Sequence, residues 1–552
     1  MTDRRSTADS VVEGLLAHGI DTLYCLPGVQ NDPFFDAIFH VQPRLRPIHA
    51  RHEQGAGYMA LGAALATGRP QAMCVVPGPG LLNAGAALAT AFSTGAKVVL
   101  IVGQIPQPLI GRQLGALHEI EDQAGLLRGL TKWWARIRGP GEAPALVAEA
   151  FRQLQTGRPR PVALEVPMDV WSRTAPATPV APYPRPVPPR PDPEAVAAAA
   201  TLLHRAERPL ILVGGGAQDA AEPVRRLAEA LDSPVSSYRM GRGVVDARHP
   251  LCIGLPATHA AWGEADVVLA VGTRLTMPLM HWGVDAGLRI IRVDLDPAEP
   301  RRIAAPEVEL IADASDALTA IADALPERQP DPERRARIRS LEKKFQDRIE
   351  AKLPPQLGWL RAIRSAVPDD GILIEEMTQI GYAARIAWPA YHPRTYLSSG
   401  YQGNLGWGFA TALGAKAANP DRAVVVICGD GGFMFTVQEL STAVNFRIPL
   451  VAIVFNDGAF GNVRLFQKAM FGNRTIATEL VNPDFAELAR AFGARGVKAG
   501  SPGELEAAVR EGLAAELPTV IEVPQVEMPS PWEFISMPRV RGEQKGSSWS
   551  YS

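Results

Sequence analysis

Three times along this chain a largely apolar strand-like run ends in a glycine-rich turn, passes through a helix and returns to a second strand-like run. Residues 423–428 are a Val/Ile run, followed by Gly429-Asp430-Gly431-Gly432, a helix through Glu439 and Ala443, and an apolar run at 450–455. Residues 71–76 lead into Gly78-Pro79-Gly80, a small-residue helix over 81–93 and a strand at 97–102. Between them, 209–213 runs into Gly214-Gly215-Gly216, an Ala-rich helix and a strand at 233–237. A strand that is apolar on both faces cannot turn either face to water. Such strands belong to parallel sheets covered by helices on both sides. The fold class expected is α/β, with three doubly wound parallel-sheet domains.

The 552 residues suit about three domains at roughly 100–200 residues each. Two composition shifts divide them. Residues 176–193 hold nine prolines and read as an extended linker. Residues 326–352 are highly charged, with Glu327, Arg328, Asp331 and Glu333 at the start, and read as a linker carrying a solvated helix. The domains expected are 1–172, 194–325 and 355–530, with a polar, frayed tail over 541–552. At 47% apolar and 21% charged residues the chain is not globally disordered. Its net charge of −2 points to neither nucleic acid nor a membrane surface. No apolar run approaches the ~20 residues of a membrane-spanning helix. The first ten residues are polar, without a secretory signal, so a cytoplasmic location is expected. Cys25, Cys74, Cys252 and Cys428 lack CxxC spacing and read as buried free thiols rather than a zinc site.

The third segment carries the most specific chemistry. Asp430 follows one strand of a βαβ unit and Asn456 follows the next, so both project from the carboxyl ends of parallel strands, where open α/β sheets bind ligands. A carboxylate and an amide oxygen are hard donors that suit Mg²⁺, which takes its remaining ligands from phosphate and water. The glycines at 429, 431 and 432 let the backbone approach a diphosphate, whose charge the following helix N-terminus favours. Gly458, in the turn after Asn456, offers a carbonyl to the same ion.

Gly-Asp-Gly with an Asn 26 residues after the Asp resembles the motif of the thiamine diphosphate-dependent 2-oxo acid enzymes. Among these are acetolactate synthase, pyruvate oxidase, benzoylformate decarboxylase and benzaldehyde lyase. The resemblance implies that Asp430, Asn456 and the Gly458 carbonyl bind Mg²⁺. It places Gly429, Gly431, Gly432, Thr378 and Gln379 at the diphosphate. The stretch from Gly400 to Gly408 is similar to the family segment whose bulky apolar residue wedges between the two cofactor rings. Here that residue is Leu405, with the Gly403 backbone on the aminopyrimidine.

Arg51-His52-Glu53-Gln54 resembles the family segment whose Glu hydrogen-bonds the pyrimidine N1′ and promotes removal of the thiazolium C2 proton. Glu53 takes that role by resemblance. Pro27 and Gly28 match the Pro-Gly turn that meets the cofactor, and Gly78-Pro79-Gly80 with Asn83 matches a second turn. The resemblance runs from about residue 6 to about 530. It implies an active site shared between subunits of a homodimer or homotetramer.

Departures from the family pattern narrow the chemistry. Where thiamine decarboxylases carry an Asp, a His-His pair and a Glu, this chain has Val29, a single His118 and Asn462. The acids that protonate a decarboxylated enamine are missing or neutral, and His118 is left as the candidate catalytic side chain of that loop. The Arg that clamps a second 2-oxo acid in acetolactate synthases is replaced by Pro278, which cannot anchor a carboxylate. Val29, Gln30, His118, Phe460, Asn462, Phe466 and Trp532 are expected to line a largely apolar substrate cavity. Some relatives bind flavin in the middle domain, but Asp219 stands where the third glycine of a dinucleotide turn belongs, and FAD is not favoured. The function expected is a thiamine diphosphate-dependent carbon–carbon lyase or ligase acting on 2-oxo acids and aldehydes, or on 2-hydroxy ketones in reverse. A flavin-containing 2-oxo acid oxidase and a non-catalytic regulatory homologue stand as alternatives.

Overall fold

The computed structural model describes residues 4–184 and 186–542. Within them the apolar runs form three six-stranded sheets, parallel throughout. The first contains β1 (Thr22–Cys25), β2 (Arg46–His49), β3 (Gln71–Val75), β4 (Val98–Gln104), β5 (Trp133–Arg136) and β6 (Val162–Pro167). The second contains β7 (Pro209–Val213), β8 (Val235–Ser237), β9 (Cys252–Ile253), β10 (Val267–Val271), β11 (Arg289–Asp294) and β12 (Val308–Ile311). The third contains β13 (Ile372–Glu375), β14 (Tyr396–Leu397), β15 (Val424–Gly429), β16 (Val451–Asn456), β17 (Arg495–Lys498) and β18 (Thr519–Pro524). Central strands such as β4, β10 and β15 are buried along their whole length, as strands covered on both faces must be.

Strand order separates two kinds of domain. The first sheet runs β2-β1-β3-β4-β6-β5 and the third β14-β13-β15-β16-β18-β17, the same topology twice. The second runs β9-β8-β7-β10-β11-β12, the order of a dinucleotide-binding fold. In such sheets the chain leaves adjacent strands in opposite directions at one point, and a crevice opens there at the carboxyl ends. That point lies between β1 and β3, between β7 and β10, and between β13 and β15.

The first and third domains are joined by a crossing of two helices, Glu53–Thr67 and Gly408–Ala418. Both are rich in Ala and Gly, and both bury nearly every side chain. Small residues all round allow backbone to meet backbone. A Cβ on Gly62 would run into the Thr411 carbonyl, and one on Gly414 into the Met59 carbonyl.

The remaining segments follow their composition with one exception. Residues 177–184 and 186–192 form no regular element, as the prolines dictate. The charged stretch forms the helix Pro332–Lys352, which buries only Ile338 and Ile349. The four cysteines are free; Cys252 is half-buried and the other three are buried. Among the described residues no helix is long and apolar enough to cross a membrane. The expectation of fraying from residue 541 is corrected. The Val540 and Arg541 N–H groups donate to the Trp282 carbonyl, and the Arg541 guanidinium reaches Asp285 Oδ1 (3.1 Å) and the Ala265 carbonyl. Long-range partners in the central domain hold a segment whose polarity alone reads as a tail. Residues 543–552 lie outside the described residues.

Gly62→Ala is expected to destabilise the protein by about 1–3 kcal/mol, since the added methyl must push two backbones apart. Gly139→Ala, with open space at its Cβ, serves as the control. Chemical denaturation at fixed protein concentration checks this, and equal midpoints for the two variants would contradict the crossing.

Candidate functional site

The glycine-rich turns of the first and third domains sit at their sheets' switch points. β15 and β16 are paired neighbours. Asp430 opens the short helical turn Asp430–Phe433 after β15, and Asn456 is the last residue of β16. Asp430 Oδ2 and Asn456 Oδ1 converge on one amide nitrogen, Nδ2 of Asn482, at 2.6 and 3.0 Å. Glu522 decides which way the Asn456 amide faces: it accepts from Nδ2 at 2.9 Å and so turns Oδ1 toward Asp430. Gly458, at φ +65°, makes the turn that follows, and its carbonyl accepts from Leu480 N–H at 2.7 Å, using one of its two lone pairs.

Burial pushes the Asp430 carboxyl above the usual carboxylate range, while the N–H groups of Gly431, Gly458 and Ala459 and the Asn482 amide act against that. Burial, with the Asp430 charge beside it, pushes Asp457 up to about 6, and Arg464 at 3.6 Å opposes this. Asp430 thus supplies one anionic oxygen, accompanied by neutral amide and carbonyl oxygens. Among the described residues no group of three or more His, Cys, Asp or Glu side chains is placed to hold a metal. A hard cation sharing its shell with a diphosphate fits this donor set, because Mg²⁺ rarely relies on a protein cage.

The other turns of the third domain arrange themselves around Asp430. Thr378 lies beside Gly429, where an added Cβ would be 3.5 Å from the threonine Cβ. Gln379, the next residue, accepts from Met528 N–H of the late segment at 2.9 Å. Phe460 packs on Gly431, with ring atoms 2.7 Å from an added Cβ. Leu405 is half-buried in a loop whose Gly400, Gly403 and Gly406 all have positive φ. The space at Gly403 is open, whereas a side chain at Gly406 would collide with Phe435. Asn404 ties this loop to the first domain through Tyr58 and Thr90.

Glu53 opens the helix Glu53–Thr67 and is 7% exposed. Asn83 Nδ2 donates to its Oε2 at 2.9 Å, and Gly80 lies against Oε1. The turn before it is fastened from the third domain: the Glu439 carboxylate accepts from Arg51 N–H (3.0 Å) and His52 N–H (3.1 Å). Gly55 is glycine here because Glu439 fills the place of its Cβ. Gly28 packs on Val76, and Pro27 precedes it in the turn after β1. Val29 is exposed, while Gln30 is buried and donates to the Leu117 carbonyl at 3.2 Å. That bond brings Gln30 to the loop of His118, whose carbonyl packs on Gly78 and whose φ is +67°.

Of the expected pocket residues, Asn462, Phe466 and Trp532 come together. Trp532 Nε1 donates to Asn462 Oδ1 at 2.8 Å, and its ring lies 5.4 Å from Phe466 and 5.0 Å from Tyr382. The helix Gly461–Met470 that carries Asn462 and Phe466 buries none of its residues. Charges absent from the sequence reading stand beside them: Arg464 between Asp457 and Glu479, and Lys468 on Glu527 at 2.6 Å. Pro278 begins the turn Pro278–Trp282 in the central domain. Arg274 is already engaged, with the Ser93 carbonyl at 2.9 Å and the Tyr401 ring at 4.5 Å.

Four anchoring residues escape a sequence reading: Asn482, Glu522, Glu439 and Gln123. Gln123 accepts from Gly78 N–H at 2.9 Å and donates to Glu165 at 2.9 Å, so it bolts the Gly78-Pro79-Gly80 turn to β6. A usable signal exists for two of the acids involved. Glu165 in Val162–Pro167 and Glu522 in Thr519–Pro524 are lone carboxylates inside otherwise apolar strands, at matching places in the duplicated topology.

In the central domain Gly214 and Gly216 pack on Gly272 at the β7/β10 switch point, beside a cavity of about 900 Å³. Asp219, in the place of the third glycine, turns outward to Arg394 at 2.9 Å.

Comparison with known proteins assigns this architecture. The N-terminal TPP binding domain of thiamine pyrophosphate enzymes matches residues 5–126, the central domain of those enzymes 196–321, and their C-terminal TPP binding domain 377–523. A probable 2-ketoarginine decarboxylase, AruI, of Pseudomonas aeruginosa is 33% identical over 532 residues, 94% of each chain. The acetolactate synthase isozyme 1 large subunit of Escherichia coli is 31% identical, over 95% of this chain and 94% of its own. A probable acetolactate synthase large subunit of Methanocaldococcus jannaschii is also 31% identical, over 94% and 91%. Three domain models in their order along the chain, and relatives this similar over nearly their whole length, place the protein in the thiamine pyrophosphate enzyme family, as a thiamine diphosphate-dependent enzyme.

Proposed function

We propose that the protein uses thiamine diphosphate and Mg²⁺ to make or break a carbon–carbon bond next to a carbonyl, with 2-oxo acids as donors and aldehydes as acceptors. The observation that carries this reading is the convergence of Asp430 Oδ2 and Asn456 Oδ1 on one point at the ends of adjacent strands. Thiamine diphosphate, when bound, supplies a carbon nucleophile and an electron sink. The side chains of Asp430 and Asn456, with the Gly458 carbonyl, would hold the metal, and Gly429, Gly431, Gly432 and Thr378 the diphosphate. Leu405 and Gly403 would support the rings. Glu53 holds a proton against the pyrimidine nitrogen through Oε1, since Asn83 occupies Oε2. Burial of Glu53 keeps water from competing for that proton.

A homodimer or homotetramer completes the site in this reading. Both half-sites are flanked by exposed apolar side chains that suit a second copy: Val29, Leu114 and Leu117 near the Glu53 side, Phe435, Ile476 and Val481 near the Asp430 side. The free cysteines suit a reducing compartment, here the cytoplasm.

The names of the relatives span decarboxylation and ligation. Pro278 and the engaged Arg274 favour an uncharged acceptor: the clamp position offers a second 2-oxo acid no guanidinium, and Arg464 beside the pocket is already paired with Asp457 and Glu479. With pyruvate as donor and pyruvate or an aldehyde as acceptor, the hydroxy ketone should exceed acetolactate by at least about tenfold, equivalent to ~1.4 kcal/mol. Product NMR of the mixed reaction reads both together, and dominance of acetolactate would overturn this choice of acceptor. A flavin-containing 2-oxo acid oxidase is a second reading, drawn from the central cavity of about 900 Å³. A yellow chromophore released on denaturation, with O₂ consumed during turnover, would support it.

Two substitutions test the site itself. Glu53→Gln should retain the cofactor but slow hydrogen–deuterium exchange at its C2 by about 10²-fold or more, and exchange at the wild-type rate would remove Glu53 from its role. Asp430→Ala should abolish Mg²⁺-dependent retention of thiamine diphosphate, since the anionic metal ligand is lost. Calorimetry showing undiminished affinity would count against that ligand set.

A further inference from the structure

Glu376 takes no part in the roles assigned so far, yet it is a fully buried carboxyl group between the two loops that would grip the cofactor. It follows β13, beside the switch point with β15. Its neighbour Glu375 is paired with Arg385, at 3.1 and 3.3 Å. The donors found around Glu376 are neutral ones. Gly406 N–H donates to Oε1 at 2.5 Å, and Oε2 meets no donor at hydrogen-bond distance. The Gly408 N–H and the Cys428 thiol stand further out and draw its carboxyl down, against burial that lifts it to about 7. A buried carboxyl with an unpartnered oxygen is costly, so a site that keeps one gains something a neutral side chain would not supply.

The surroundings show what is gained. Gly406 and Gly408 belong to the stretch that carries Leu405, whereas Cys428 lies on β15, two residues before Asp430. Gly432, in the turn after Asp430, lies directly against the carboxyl group: an added Cβ would be 2.7 Å from its carboxyl carbon. A Cβ on Gly408 would be 3.2 Å from Oε2. One carboxyl group therefore touches both the Leu405 loop and the diphosphate turn, and both are glycine where they meet it. On its other side Leu405 is held by Asn404, whose carbonyl oxygen accepts from Thr90 at 3.2 Å. The Gly406 backbone, at φ +80°, has no side chain to fix it; Glu376 holds its N–H, and the Thr436 hydroxyl donates to its carbonyl at 3.3 Å.

We propose that Glu376 is a positioning residue that fixes the height of Leu405 over the diphosphate turn by holding the Gly406 N–H against β15. The inference rests on the thiamine diphosphate reading and adds to it a residue outside the cofactor-contacting set. Its carboxyl accepts the Gly406 N–H of the Leu405 loop, and its bulk spaces that loop from Gly432. A glutamine in its place keeps the bulk but weakens the grip, because an amide is a poorer acceptor for the Gly406 N–H than a carboxylate.

The test uses the full-length protein with thiamine diphosphate and Mg²⁺. Glu376→Gln should melt like the wild-type apoprotein but bind thiamine diphosphate about tenfold more weakly by calorimetry, the loss of about one hydrogen bond to a charged acceptor. Hydrogen–deuterium exchange at C2 of the bound cofactor, measured at saturation, should slow by about the same factor. In a Leu405→Ala background the same substitution should leave that exchange unchanged, because its effect passes through Leu405. Multiplicative effects of the two substitutions, or wild-type exchange in Glu376→Gln, would overturn the proposal. Should Glu376→Gln fail to fold, Cys428→Ala carries the test. It should slow the exchange to a smaller degree, with Cys428→Ser restoring it, and wild-type exchange in Cys428→Ala overturns the proposal. A wild-type protein that binds no thiamine diphosphate overturns the cofactor reading instead.

Discussion

The contact on which the rest of the structure depends is the crossing of the helices Glu53–Thr67 and Gly408–Ala418. Gly62 and Gly414 let each helix press on the other's carbonyls, so the separation of the first and third domains is set by backbone rather than by adaptable side chains. Each helix begins at a functional turn: Glu53 opens one, and the Leu405 loop runs directly into the other. A contact in the middle of both helices thereby sets where both turns lie. Glu439 completes the arrangement by reaching from the third domain to the N–H groups of Arg51 and His52. Helix N-termini leave such N–H groups without partners inside the helix, and a carboxylate from another domain satisfies them.

Buried carboxylates recur wherever a turn must be held. Glu165 on β6 fastens the first-domain turn through Gln123, and Glu522 on β18 orients Asn456. The two stand at matching positions of a duplicated topology and do matching work. Each has donors to satisfy it: Arg136, Gln104 and Gln123 for Glu165, and Asn456 with the Phe485 N–H for Glu522. An ionised carboxylate inside a parallel sheet requires such company, and in gathering it the side chain fixes the loops that provide it. The central domain has another strand order and another kind of crevice. Its cavity is also lined by Gly400, Tyr401 and Gly403, so all three domains meet at the loop that carries Leu405.

Much of this was legible residue by residue. Apolar runs announced the strands because burial on both faces admits a polar residue only where partners satisfy it, and Asp430 and Asn456 stood out because each lies at the end of such a run. The limits appear where a partner is far away in sequence. Arg541 reads as part of a polar tail until Asp285 and the Ala265 carbonyl are seen to receive it. Gln379 reads as a diphosphate contact, and the sequence gives no sign that its oxygen also accepts from Met528 N–H. Asn482 belongs to no motif, although it joins Asp430 to Asn456. The aromatic residues around Trp532 are legible in their motifs, whereas the ion pairs of Arg464 and Lys468, on the helix that carries Asn462 and Phe466, are not.

By itself the sequence determined the class of fold, the order of three domains and the chemical identity of the turns at the strand ends. These follow from periodicity, glycine placement and side-chain chemistry, which act over a few residues. The tertiary structure alone decided which oxygen of Asn456 faces Asp430, which carboxyl oxygen of Glu53 is engaged, and which buried acids stand behind the turns. Those choices come from hydrogen bonds between groups tens to hundreds of residues apart, and a hydrogen bond has direction as well as distance. Local sequence carries no record of direction until the sheets and the helix crossing bring donor and acceptor together.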